Sequence, residues 1–194
     1  MLRQRRDDGF TLVELLLAVS ILGILLAAIT SAMFVALRTI ASTTVRLAES
    51  NDGLFLATYF GDDVQGAKTV TVGTTAKCGT SAGTAVVEFV GQDFADDTSY
   101  ATRTTVVTYV LRTVTVSGTT SRQLRRLLCA AATDSPTYPL TPTAEITVAD
   151  RLSATAPTVS CGGAGCAAFT QVSMTLQEES GGFTYTLTGR RRTT

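Results

Sequence analysis

The sequence predicts an α+β protein in which a long N-terminal helix packs by its second half on an antiparallel β-sheet. Three observations carry that prediction. From Phe10 to Leu37 the chain holds one charged residue, Glu14. Beyond it apolar residues recur largely at helical spacing. The remainder runs in short Thr- and Val-rich stretches separated by Gly, Pro, Ser and Asp. A length of 194 residues suits one domain with an appendage. The 16 Lys and Arg cancel the 16 Asp and Glu, which argues against a dedicated nucleic-acid binder. Histidine is absent, removing the Ser-His and Cys-His nucleophile pairs and most zinc sites together. No convergent set of residues points to an enzyme or to a cofactor.

The first element reads as a membrane helix. About 20 apolar helical residues cross a hydrocarbon core of about 30 Å, and the stretch from Phe10 to Leu37 exceeds that length. Arg3, Arg5 and Arg6 precede it, so the N-terminus is expected in the cytoplasm and everything beyond Arg38 outside. A cleaved secretory signal has a shorter apolar region and a small-x-small site, and this stretch continues past Ala28 into Met33, Phe34 and Val35. A lipoprotein needs a Cys after the apolar run, and the first is Cys78. A plain anchor leaves Glu14 unexplained, because a carboxylate inside a membrane helix costs about 2.5 kcal/mol or more.

Gly9, Phe10, Thr11, Leu12, Val13 and Glu14, behind a short arginine-bearing leader and ahead of apolar Leu15 to Ile29, resemble the N-terminus of the type IV pilin superfamily. In that family a membrane prepilin peptidase cuts after the glycine and methylates the new N-terminal amine. The resemblance therefore implies cleavage between Gly9 and Phe10, N-methylation of Phe10, and an assembly role for Glu14, the family's glutamate four residues after the new terminus. Gly23 matches a glycine common in these helices. Ser31 stands where many major pilins have a helix-bending proline, so the resemblance does not carry that kink over. The similarity covers about a fifth of the chain and implies a pilin-like fold. Physically, the freed amine is a positive charge that needs a partner, and Glu14 of a neighbouring subunit can neutralise it within a packed filament.

The expected layout is a leader over 1–9, a membrane and assembly helix over 10–37, the amphipathic half of the same helix over 38–66, and a β-rich head over 67–194. In the amphipathic half, Phe34, Leu37, Ala41, Val45, Ala48, Phe55 and Tyr59 form the stripe expected to face the sheet, and Asp62, Asp63 and Gly66 mark the helix end. Strands are expected over Thr69 to Val72, Thr84 to Val90, Thr102 to Val116, Arg122 to Cys129, Ala167 to Glu178 and Phe183 to Arg191. The last two make a hairpin turning at Glu179 to Gly182. Between Ala130 and Gly165 the prolines and small residues predict an irregular excursion, with a strand or short helix near Ala144 to Leu152.

Cys78, Cys129, Cys161 and Cys166 are even in number and lie outside the cytoplasm in this topology, where disulfides persist. The near pair is flexible enough to close on itself, leaving Cys78 for Cys129. A zinc site of four thiolates lacks tight CxxC spacing, and a redox-active pair is the remaining alternative. Asp93, Asp96 and Asp97 offer oxygens, as in calcium-binding pseudopilins, but do not fit the Asp-x-Asp-x-Asp-Gly loop, so a solvated turn and no metal are expected. Asp62, Asp63, Glu178 and Glu179 read as helix-end and hairpin acids. Arg122, Arg125 and Arg126, with Arg190, Arg191 and Arg192, are basic clusters that read as solvated strand ends or contacts to a partner's acids before they read as DNA contacts.

The resemblance implies a structural subunit, most like a minor pilin or pseudopilin of the J/W kind, which primes or caps a type IV pilus or related filament. Its implied partners are other major and minor pilins, the prepilin peptidase, an inner-membrane platform protein and its assembly ATPase. The alternatives are a tip-displayed adhesin or DNA-uptake receptor and a type II secretion pseudopilus subunit. The expected location is the cytoplasmic membrane, N-in and C-out, followed by a filament.

Overall fold

The computed structural model describes residues 11–73, 76–79, 83–94, 102–116, 118–179 and 184–192, with the side chains of 41–51, 94 and 116 outside that description. Two units divide the chain at Ala48. The first contains the apolar part of helix α1, Leu12–Gly66. Thr11 caps it: its Oγ1 accepts the Glu14 N–H at 3.3 Å, and its carbonyl accepts the Leu15 N–H at 3.2 Å. Thr-x-x-Glu ahead of an apolar run is a helix-start signature. The helix continues through Ser31, whose hydroxyl donates to the Ala28 carbonyl at 2.8 Å.

The second unit, Glu49–Thr194, holds the end of α1 and, among the described residues, eight strands. Strands β1 (Ala67–Val72), β2 (Thr84–Phe94), β3 (Thr102–Val116), β4 (Thr119–Ala131) and β5 (Ala144–Ala149) form a sheet in sequential order, and all its neighbours run antiparallel. Strands β6 (Thr158–Gly163), β7 (Phe169–Gln177) and β8 (Thr184–Arg190) form a second antiparallel sheet. The α+β prediction with its antiparallel sheet therefore holds.

Leu56, Phe60 and Val64, four residues apart, bring one face of α1 into the core with Val87, Phe89 and Tyr109 of the first sheet and Val172, Met174 and Leu187 of the second. Phe60, Phe89 and Tyr109 meet edge to face, with centroids 5.7 to 6.0 Å apart. Such pairs add about 0.5–1.5 kcal/mol each beyond area burial. The expected stripe is met at Tyr59, which packs on the core, and missed at Phe55. Phe55 is 54% exposed, and the residue after it, Leu56, is fully buried. Phe34 and Leu37 are exposed. Ala41, Val45 and Ala48 lie outside the described side chains.

One further expectation changes. The excursion before Gly165 contains β6, because Val159 and Cys161 pack on the core while pairing with Met174 and Val172 of β7. Glycine there serves the strand end: Gly163 has φ 100°, and a Cβ on it would meet the Ala168 carbonyl at 2.9 Å. The segment near Ala144 resolves as a strand. Its end continues to Leu152, which bridges to Glu178 of the hairpin.

Candidate functional site

The N-terminal segment is built as an insertion element. All side chains from Thr11 to Ile40 are exposed, and the 29 residues from Leu12 to Ile40 form a helix apolar enough to cross a membrane. At 1.5 Å per residue they cover about 43 Å, more than the hydrocarbon core requires. Polar side chains within the span spend their hydroxyls on the helix itself. Ser20 donates to the Leu16 carbonyl at 2.8 Å, Thr30 to Leu26 at 2.7 Å and Thr39 to Val35 at 2.9 Å. Local bonds of this kind lower the cost of carrying a hydroxyl into lipid. Glu14 is different: it is an exposed carboxylate in the first turn, where the helix dipole favours negative charge. Gly9, Phe10 and the leader lie outside the described residues.

In the second unit the charged residues are mostly absorbed by folding. Asp63 is not a solvated helix-end acid. Its side chain is 5% exposed, and it takes a two-pronged bond from Arg126, Nε to Oδ2 at 2.7 Å and Nη2 to Oδ1 at 2.6 Å. The Tyr109 hydroxyl donates to Oδ2 at 2.7 Å. The Arg126 guanidinium also lies 5.1 Å from the Tyr59 ring centroid. Burial and the Asp63 charge push the Tyr109 hydroxyl well above its ordinary pKa. Burial pulls Arg126 down, but the Asp63 bonds and charge outweigh it and leave the guanidinium pKa raised. Sequence reading missed this group, although Asp63 follows Tyr59 by four residues and Phe60 by three, and so shares their helix face. Asp62 is exposed, as expected.

The other arginines of the first cluster are also held within the chain. Arg125 and Arg112 share Oε1 of Glu145, with Arg112 Nη1 at 2.8 Å, and Arg122 donates to the Ala154 carbonyl. Of that cluster, Arg126 is paired with Asp63 and Arg125 with Glu145, whereas Arg122 meets an uncharged carbonyl. Arg190, Arg191 and Arg192 are exposed; Arg191 lies 5.3 Å from the Phe169 ring centroid. Glu178 is buried and accepts a bond from the Tyr185 hydroxyl, whereas Glu179 is exposed. Asp93 pairs with Arg103 at 3.5 Å, and Asp96 and Asp97 lie outside the described residues. Among the described residues no cluster of three or more metal-ligating side chains occurs.

The structure joins Cys78 to Cys129 and Cys161 to Cys166. The first pair is fully buried beside Val106, Val110 and Leu127. Glu88, only 1% exposed, anchors the chain next to it. Its Oε2 accepts the Lys77 N–H at 2.6 Å and the Thr108 hydroxyl at 3.2 Å, and its Oε1 lies 3.4 Å from Lys77 Nζ. An acid in the middle of an otherwise apolar strand gave no sequence signal for this role.

Over residues 4–30 the chain matches the family model of the prokaryotic N-terminal methylation motif. No curated protein and no solved structure matches it. The motif implies processing by a prepilin peptidase and assembly with other pilins. Together with the apolar helix and the antiparallel sheet beyond it, the motif supports a membrane-anchored, structural, type IV pilin-like or pseudopilin protein.

Proposed function

We propose that the chain is a minor pilin or pseudopilin of the J/W kind, a structural subunit that primes or caps assembly of a type IV pilus or related filament. Prepilin peptidase cuts between Gly9 and Phe10 and methylates the Phe10 amine. The subunit waits in the cytoplasmic membrane, N-in and C-out, with residues 10–37 in the bilayer and 67–194 outside. A platform protein and its cytoplasmic ATPase then drive it into the filament. There Glu14 neutralises the N-terminal amine of an adjacent subunit and sets the axial register.

The observation that carries this reading is the placement of Glu14. It is the one charge between Phe10 and Leu37, and it stands in the first turn of a capped helix whose side chains are all exposed as far as Ile40. Breaking a buried ion pair by removing one partner typically costs about 3–5 kcal/mol. Glu14→Ala should therefore be exported and membrane-inserted but poorly incorporated, as read by its amount in sheared filaments against the wild-type chain. Intact-mass analysis of the membrane-extracted wild type should show a chain beginning at methylated Phe10. Normal incorporation of Glu14→Ala would overturn the assembly role, and a wild-type chain still beginning at Met1 in cells with active peptidase would overturn the processing.

A further inference from the structure

The two arginine clusters part ways in the folded chain. Arg125 and Arg126 are paired with Glu145 and Asp63, whereas Arg191 and Arg192 meet no acid among the described residues. Both line an open groove of about 840 Å³ together with Lys68, which likewise has no acid partner among the described residues. The end of α1 and the start of β1 form one side of this groove. The short 3-10 helix Cys166–Ala168, the start of β7 and the chain after β8 form the other. Among the described residues no Asp or Glu lines it.

A helix C-terminus attracts cations, and α1 ends at Gly66 on the groove wall. That end carries about half a negative charge against three full positive charges, so the groove keeps a positive excess. The cations are also held in place before anything binds. Lys68 Nζ donates to Gln92 Oε1 at 3.2 Å. The Arg191 N–H donates to the Thr170 carbonyl at 3.0 Å, and its guanidinium lies 5.3 Å from the Phe169 ring centroid. Like charges gathered in this way repel one another, and an anion between them relieves the repulsion.

The rest of the lining narrows the class of anion. Gln65, Gln92 and Thr170 are exposed and offer amide and hydroxyl groups that suit a peptide backbone. Phe169 is the aromatic residue of the groove, and it is buried, so no exposed ring among the described residues offers a base a stacking surface. The chain's 16 positive and 16 negative residues also leave it without the basic excess that draws a nucleic acid.

We propose that this groove binds an extended acidic segment of a partner protein, whose carboxylates pair with Lys68, Arg191 and Arg192 and whose backbone bonds to the glutamine and threonine side chains. The inference goes beyond the filament role, and its test reads binding rather than assembly, so either can fail alone.

The test uses the full-length chain in detergent micelles and about 0.1 M salt, where exposed charges more than about 10 Å apart are largely screened. The probes are fluorescein-labelled peptides of equal length, one alternating Glu with Gly and one alternating Gln with Gly. Fluorescence anisotropy should show saturable binding of the glutamate peptide, several-fold tighter than that of the glutamine peptide and weaker as salt is raised. Arg192→Glu should weaken it several-fold, and Lys68→Glu combined with Arg192→Glu should weaken it further. Arg151→Glu makes the same charge change at an exposed arginine outside the groove and should leave binding unchanged. Urea midpoints matching the wild type confirm that each variant folds. Equal binding of the two peptides, or equal losses in Arg151→Glu and Arg192→Glu, would overturn the proposal. So would a duplex oligonucleotide that displaces the labelled peptide at a lower concentration than the unlabelled peptide does, because the groove would then be a phosphate site.

Discussion

Asp63 carries a charge into the interior, and two side chains from two strands keep it there. Arg126 supplies two charge-assisted bonds and Tyr109 a third, so removing the carboxylate leaves a guanidinium only 13% exposed without its partner. Replacing Asp63 by Ala should destabilise the protein by about 3–5 kcal/mol. Tyr109→Phe keeps the ion pair and loses one hydrogen bond, and should cost about 1 kcal/mol. Urea unfolding of the two variants followed by circular dichroism distinguishes these outcomes, and equal costs would mean that the Arg126 pairing contributes nothing beyond the Tyr109 bond. The same group sets an alkaline limit. The Tyr109 pKa is raised in the fold by burial and by Asp63, so the unfolded chain loses this proton first, near the ordinary tyrosine value of about 10. The stabilisation is whole below that pH and drains away as pH rises towards the folded value. Stability should fall more steeply above pH ~10 in the wild type than in Tyr109→Phe, and parallel curves would refute the assignment.

The two disulfides constrain very different lengths of chain. Cys78 and Cys129 are separated by 51 positions, and Cys161 and Cys166 by 5. In the loop-entropy account the stabilisation grows as 1.5RT times the logarithm of loop length, so the long closure is worth about 2 kcal/mol more than the short one. Cys78→Ala with Cys129→Ala should therefore lower the urea midpoint substantially more than Cys161→Ala with Cys166→Ala. The buried Cys78–Cys129 pair adds lost packing to the difference. A larger effect from the short loop would show that folded-state contacts around β6 dominate. Elements were legible in the sequence to the extent that local pattern decided them. Thr102–Val116 was bounded correctly because a Thr- and Val-rich run without Gly or Pro spans its full length. β6 was hidden because Gly162 and Gly163 read as breakers and only its β7 partner makes the segment a strand. At Phe55 the expected α1 stripe is off by one residue because Phe55 and Leu56 are both apolar, and only the sheet selects between them. Long-range polar partners such as Asp63 with Arg126, 63 positions apart, leave no local trace.

For the whole molecule, the decisive asymmetry is where the apolar surface goes. Every buried residue among those described lies at Leu56 or beyond, whereas the residues from Leu12 to Ile40 are exposed and mostly apolar. An uncovered surface of that size needs a bilayer or neighbouring subunits. The core itself is drawn from the second unit: the last turns of α1, the five-stranded sheet and the three-stranded sheet. Gly189 fixes how closely that helix end seats. A Cβ at that position would meet Val64 at 2.6 Å, so Gly189→Ala should cost about 1–3 kcal/mol through overpacking. A chain beginning at Glu49 retains all of these contacts. It should be soluble without detergent, form both disulfides and unfold cooperatively in urea, while the full chain stays in the membrane fraction. The same shortened chain lacks Glu14 and the apolar helix, so it should not enter filaments. Aggregation of the shortened chain, or a non-cooperative melt, would show that the head depends on the helix before Glu49. Filament entry without Glu14 would place the assembly determinant in the head.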